Sequence, residues 1–410
     1  MYKWHYKTLE DVKQELEKLG VDIPFSDNLS VLAEPLEING KVIPNRIVYQ
    51  PMEAGDCAPD GTPSEQTIKR YKDFAKGGPG IIWVEAVPVV PEGRSNPHQM
   101  YLHEDNLDEF KKFVDNLRNE CFEENKRDTC IIIQYTHTGR YSHPKDKGEP
   151  VIAQFKPCLE EENKPDESAI ISDEELKRFE EAMGKSSYLA EQAGFDGADI
   201  KCCHGYLTQE FLTAYDRPGP YGGSFENRTR LIMNCIENAK AQTKSPFILS
   251  SRINVYDGLP HPWGFGADDD ATPDITEPLM LVELMKKSGI KLINVSSGSP
   301  SRFYMTCPKG QAPEHPLLGV ARLLSLTGKI KEANKDLLVV SSAYSYLRKF
   351  SPMAAAGSIV EGLSDMVGYG RLPFAYPEAA RDILQNKFDE NKLCLCCDAC
   401  WYPCKVRSKK

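Results

Sequence analysis

GADIKCCHGYLTQEFLTAYDRPGPYGGSFENRTRLIMNCIENAKAQTKSPFILSSR, residues 197–252, is the stretch on which the fold turns. It opens on the apolar run Gly197–Cys202, closes on the run Pro246–Arg252, and carries the amphipathic pattern Glu226–Thr243 between them. Neither run alternates cleanly between apolar and polar, which marks strands buried on both faces of a parallel sheet. Working outward, the same unit repeats. Apolar runs at Arg46–Pro51, Gly80–Glu85 and Cys130–Tyr135 precede it, and runs at Ile290–Ser296, Leu337–Ser342 and Ser364–Tyr369 follow. Helical patterns fill the gaps at Ser64–Lys76, Asn106–Asn119, Asp173–Ala193 and Glu277–Lys287. Ser172 followed by Asp173, Glu174 and Glu175 is a helix-start signal, and Gly77, Gly194 and Gly289 stand where helices stop. Eight strand-then-helix units with no break in composition predict an α/β fold, a (βα)8 barrel of the TIM type, over a doubly wound sheet.

A plain barrel of this kind needs roughly 250 residues, and the chain has 410. The excess divides into an N-terminal helical extension (1–30), long βα loops within a barrel spanning 31–390, and a cysteine-rich tail (391–410). The longest loops fall near 136–171, 203–225, 253–276 and 297–314. All four lie at the face where barrel enzymes keep their active sites.

Lys and Arg total 50 against 60 Asp and Glu, a net charge of −10, which excludes a protein built to coat nucleic acid. Hydrophobic residues make up 40%, and no stretch approaches the ~18 apolar residues of a membrane span. The opening MYKWHYKTLEDVKQELEKLG lacks an apolar core, so no secretory signal is expected. Of 13 cysteines, five (Cys394, Cys396, Cys397, Cys400 and Cys404) crowd into eleven residues. The others are scattered singly or lie in apolar runs, as reduced thiols do, and a cytoplasmic location is expected.

Functional side chains of such a barrel come from the C-terminal ends of its strands. Those ends carry Gln50-Pro51-Met52-Glu53, Glu85-Ala86, Gln134, Lys201 with His204 and Tyr206, Arg252, Ser296, Ser342 and Gly368-Tyr369-Gly370-Arg371. Each polar residue alone could simply cap its strand; the set converging on one mouth reads as a site. Gly298, Gly368 and Gly370 let backbone N–H groups approach a phosphate, to which Arg371 would add charge-assisted bonds. His204 and Tyr206, two apart on one loop, would offer a hydrogen bond and a proton to one substrate. Tyr206 taken alone reads slightly better as a packed loop aromatic. Lys201 needs either the pocket or a buried partner.

Together these residues resemble the Old Yellow Enzyme family of FMN-dependent oxidoreductases, in particular its 2,4-dienoyl-CoA reductase and trimethylamine dehydrogenase branch. The resemblance runs from about Leu32 to Cys400. It rests on Pro44-Asn45-Arg46-Ile47-Val48 leading to Pro51-Met52, on QYTHTGR at 134–140, HGYLTQEFL at 204–212, YGGSFENRTR at 221–230 and GYGR at 368–371. It implies FMN at the barrel mouth, with Pro51, Met52, Glu53 and Ala86 along the flavin ring and Gln134 at its pyrimidine edge. Arg252 would face the flavin N1–O2 side, and Ser342, Gly370 and Arg371 would hold the phosphate. Tyr206 corresponds to the family's proton donor, and Glu226-Asn227-Arg228 would brace a loop.

Two departures bear on the substrate. The family pairs His with His or Asn where this chain has Lys201 and His204, and a lysine favours a carboxylate or a developing enolate oxygen. Glu53 stands where many relatives carry Thr, Cys or His; a carboxylate there would pair with Lys201 if the two are close. The resemblance also implies a [4Fe–4S] centre on Cys394, Cys397 and Cys400, with Cys404 as fourth ligand in preference to Cys396. Four-thiolate zinc and a metal-free reduced tail are the competing readings. The chain holds no G-x-G-x-x-G turn, so electrons are expected from NAD(P)H docking at the flavin or from an electron-donor protein.

The expected activity is reduction of an activated C=C bond in a small α,β-unsaturated carbonyl, acid or thioester. An amine dehydrogenase or demethylase and a Lys201 Schiff-base lyase are the alternatives. The expected partner is a small-molecule substrate, without nucleic acid or membrane, and a homo-oligomer is one expected state.

Overall fold

The structure is a computed structural model that describes residues 2–145, 147–160, 165–299 and 302–399. A short hairpin comes first, β1 (Leu36–Ile38) and β2 (Lys41–Ile43), paired antiparallel. Eight parallel strands follow: β3 (Ile47–Tyr49), β4 (Ile81–Pro88), β5 (Cys130–Thr136), β6 (Gly197–Ile200), β7 (Ile248–Asn254), β8 (Leu292–Ser296), β9 (Leu338–Ser341) and β10 (Met366–Tyr369). They pair in chain order and close where Val367 of β10 aligns with Ile47 of β3. The (βα)8 barrel expected from the sequence is the fold.

The barrel is filled, not hollow. Val48, Ile81, Trp83, Ile132, Ile248, Leu292, Val340 and Met366 form one buried cluster inside it. The hairpin adds Ile38 and Ile43 to that cluster and closes the end opposite the mouth. Asn39 donates to the Phe247 carbonyl, and Lys41 pairs with Asp196, both just ahead of barrel strands. A second, larger cluster packs the outer faces of the strands against the helices. Among the described residues, no helix is long and apolar enough to cross a membrane.

Helix ends follow local chemistry. Ser172 and Glu175 form a reciprocal capping box on the helix Asp173–Gln192, and Gly289, at φ 108°, ends the helix Thr276–Ser288. Gly77 differs from the expected left-handed stop: its φ is −67°, and a Cβ there would lie 2.2 Å from the Pro377 carbonyl oxygen. Close approach, not backbone conformation, requires glycine at that position. The helix expected over Asn106–Asn119 continues to Asn125, because Cys121 keeps its apolar face buried for another turn.

One expectation fails on β4. A register shift between Val84 and Ala86 turns Glu85 away from the mouth. Its carboxylate is buried against Arg70 (2.7 Å) and accepts the Ala54 N–H (3.0 Å). A bulge of this kind re-aims a side chain that simple alternation would place elsewhere.

Candidate active site

The mouth of the barrel holds a cavity of about 810 Å³, inside the ~300–1,000 Å³ range of small-molecule sites. Pro51, Met52 and Glu53 enter it after β3, Lys201, His204 and Tyr206 after β6, Arg252 from β7, Ser342 after β9, and Gly370 and Arg371 after β10. Two expected residues do not line it. Gln134 is 1% exposed and donates to Asp199 at 2.5 Å, while Ala86 is buried with its carbonyl accepting from Gln99. Gln50 lines the cavity instead, its amide paired with that of Asn294.

The β6 loop sets the geometry of one end. His204 and Gly205 both have left-handed backbone (φ 65° and 66°), which folds the loop back sharply. Tyr206 then stands at the N-cap position of the short helix Leu207–Phe211, its side chain left free of the helix end. Its hydroxyl donates to Glu53 Oε1 at 2.8 Å. Lys201 Nζ lies 3.5 Å from the same oxygen and 3.6 Å from the centroid of the Tyr206 ring. Ser95 donates to Glu53 Oε2 at 2.7 Å, and His204 Nε2 bonds Ser296 Oγ at 2.8 Å.

Burial sets the protonation states. It drives the Lys201 ammonium below its usual range, with Glu53 opposing, and lifts the Tyr206 phenol well above 10, with Glu53 reinforcing. His204, half-buried beside Arg252 and Lys201, is held well below 6.5 by desolvation and is neutral at pH 7. Beneath the cavity, burial raises Asp199 to about 6 against its bonds from Gln134 and the Arg252 N–H. This end therefore offers a protonated phenol, a neutral imidazole and a paired ammonium. That set can orient a carbonyl oxygen and deliver one proton.

The other end lies over β9 and β10. Ser342 Oγ and Arg371 Nη1 are buried without a hydrogen-bond partner among the described residues, and both residues are only 4% exposed. Arg371 Nη2 donates to the Pro308 carbonyl at 2.7 Å, which fixes the guanidinium. Gly370 leaves room: a Cβ there would sit 3.2 Å from Met52 Sδ. Orphaned donors beside a bare backbone are what a phosphate group satisfies. Arg252 Nε is likewise buried and unpartnered, where the flavin N1–O2 edge was expected. These residues fit FMN.

Three contributors had no sequence signal. Ser95 reaches Glu53 from the loop after β4, and Lys309 and Asp398 meet at 2.6 Å from segments 89 residues apart. Asp398 Oδ1 also lies 3.6 Å from Arg371 Nη1, beyond hydrogen-bond reach, so the tail folds against the β9–β10 end. Within it, bonds from Cys396, with Arg371 and Arg348 nearby, push the Cys394 thiol down to about 6. Cys397 lines the cavity. Among the described residues, no group of three or more His, Cys, Asp or Glu is gathered as metal ligands would be. Cys400 and Cys404 lie outside the described residues.

Residues 31–390 match the NADH:flavin oxidoreductase / NADH oxidase family. The chain is 26% identical over 402 residues to the cinnamate reductase of Clostridium sporogenes, covering 91% of this chain and 55% of that protein. It is 31% identical over 273 residues to an NADPH dehydrogenase of Geobacillus sp., covering 66% and 74%. The chain spans about half the length of several curated relatives (55%, 52% and 51%). In fold it is similar to a 2-naphthoyl-CoA reductase complexed with 2-naphthoyl-CoA, with TM-score 0.74, 20% identity and coverage of 90% and 54%. With a match over residues 31–390, which include all eight barrel strands, the chain belongs to the NADH:flavin oxidoreductase / NADH oxidase family.

Proposed function

We propose that this chain is a cytoplasmic FMN-dependent ene-reductase that takes electrons from NAD(P)H and reduces an activated C=C bond in a small α,β-unsaturated carbonyl, acid or thioester. The observation that carries the reading is the Tyr206 hydroxyl, hydrogen-bonded to Glu53 beside Lys201 and His204 in the cavity that also contains the Ser342 Oγ and Arg371 Nη1 donors that make no hydrogen bond among the described residues. A relative named for cinnamate, an α,β-unsaturated acid, supports the same class of chemistry.

FMN, when bound, supplies hydride to the β-carbon. The protein's residues do the rest. Lys201 and His204 hold the activating oxygen and stabilise the negative charge that grows on it. Tyr206 delivers a proton to the α-carbon, and Glu53 keeps the phenol oriented until it does so. Met52 and Pro51 shape the wall against which the flavin ring would lie, and Arg252 would face its N1–O2 edge.

The reading is tested by releasing the flavin from purified protein for identification, then screening NAD(P)H consumption with enones, unsaturated acids and unsaturated thioesters. FMN and enone-dependent oxidation are expected. Absence of flavin, or borohydride trapping of a carbonyl on Lys201, contradicts the proposal and favours the lyase. The tail reading is separate. A [4Fe–4S] centre on Cys394, Cys397, Cys400 and Cys404 predicts about four iron and four sulfide per chain after anaerobic purification, and zinc or no metal overturns it.

A further inference from the structure

At the catalytic end of the cavity Lys201 and Glu53 already form an ion pair before any substrate enters. Lys201, 3% exposed, has its ammonium against the Glu53 carboxylate on one side and over the Tyr206 ring on another. Glu53 is itself fixed: Oε1 takes the Tyr206 hydroxyl and Oε2 the Ser95 hydroxyl. The next backbone N–H, that of Ala54, is tied to buried Glu85, which is paired with Arg70. The other cation at this end, Arg252, touches Ser296 Oγ at 3.5 Å and, on the reading above, serves the flavin.

From this arrangement we infer that the site selects uncharged carbonyl acceptors (enones, enals and thioesters) over free α,β-unsaturated carboxylates, and that Glu53 sets the preference. The inference rests on the ene-reductase reading and narrows its substrate class. A carboxylate placed at Lys201 would bring a second anion against Glu53, with one buried ammonium to share between them. Desolvating an anion without its own counter-charge is costly, and like charges at contact oppose binding. A neutral carbonyl oxygen meets neither penalty. It needs one hydrogen-bond donor in the ground state and gains charge only as hydride arrives, when Lys201 attracts it more strongly.

Benzylideneacetone and cinnamate share a styryl group and differ in the charge at the carbonyl, which makes them the probe pair. The FMN-loaded wild-type protein and Glu53→Gln are compared by kcat/KM on both. Equilibrium dialysis of 3-phenylpropanoate and 4-phenylbutan-2-one, which cannot be reduced, reads binding without turnover. Because enones are intrinsically more electrophilic than carboxylates, the diagnostic quantity is the change in the ratio.

Glu53→Gln should cut the enone-over-acid ratio by about 10–100-fold, the range for removing one like-charge contact, mainly through a lower KM for cinnamate. It should also tighten 3-phenylpropanoate binding by about 10-fold or more, relative to the neutral ketone. Glu53→Thr, with flavin content as the check on folding, should shift the ratio in the same direction. An unchanged ratio, or wild-type protein that binds 3-phenylpropanoate as tightly as 4-phenylbutan-2-one, overturns the inference and leaves the ene-reductase reading standing. Wild-type protein that reduces neither probe overturns both.

Discussion

The two ends of the cavity are built on opposite principles. At the β6 end Glu53, Lys201, Tyr206 and His204 already have partners within the protein: Glu53 takes Lys201, Tyr206 and Ser95, and His204 takes Ser296. At the β9–β10 end Ser342 Oγ and Arg371 Nη1 are buried with no hydrogen bond among the described residues. A buried polar atom left unsatisfied costs about 1–3 kcal/mol, so it marks where a ligand completes the structure. A closed network marks where reacting groups are held ready instead. On the proposed reading, cofactor binding corresponds to absent bonds and catalysis to bonds already made. Substitutions at the two ends should accordingly fail in different assays.

The largest separation is expected at Tyr206. Tyr206→Phe should slow reoxidation of the reduced flavin by an enone by roughly 10²–10⁴-fold, the range for a general acid. Flavin reduction by NAD(P)H needs no such proton and should change by about twofold at most. Stopped-flow measurement of each half-reaction decides this, and equal slowing of both would reduce Tyr206 to a packing residue.

Arg371→Ala attacks the other end. A charge-assisted bond is worth about 1.5–3 kcal/mol, so FMN affinity should fall by about 10–150-fold in a fluorescence titration of apoprotein. Undiminished affinity would remove the phosphate assignment. Ser342→Ala should weaken FMN by about fivefold, as loss of one neutral bond does. It should leave the thermal midpoint of the apoprotein unchanged or slightly raised, because an orphaned hydroxyl is removed.

The smallest effect expected is that of pH. His204 is held well below 6.5 and Tyr206 well above 10. Neither changes charge between roughly pH 7 and 8, and Asp199, at about 6, is ionised there, so the enone half-reaction should vary by about twofold or less over that window. A rising or falling limb within it would show that His204 or Lys201 titrates and that this end of the cavity is not closed.

How far the sequence could be read follows the same physical division. The barrel strands were legible because burial on both faces leaves unbroken β-branched runs. The hairpin β1–β2 was passed over, although Asn39-Gly40, with φ 52° and 83°, is the turn pair that a tight hairpin demands. Glu85 could not be placed, since a bulge leaves no mark on composition. Glu53, Lys201, Tyr206 and Arg371 were legible because barrel geometry brings strand ends to one mouth. Ser95, Lys309 and Asp398 were not, because loops and the tail bring them in from positions that no periodicity fixes. Their contribution is a matter of tertiary packing, and only coordinates reveal it.

The most direct test of the central claim is a single anaerobic titration. Wild-type protein is reduced with one equivalent of NAD(P)H per flavin, freed of excess, and mixed with benzylideneacetone while the visible flavin bands are followed. The account predicts that the oxidised bands return fully, with one molecule of 4-phenylbutan-2-one formed per flavin. A flavin that stays reduced in the presence of the enone, yet reoxidises when air is admitted, would contradict it.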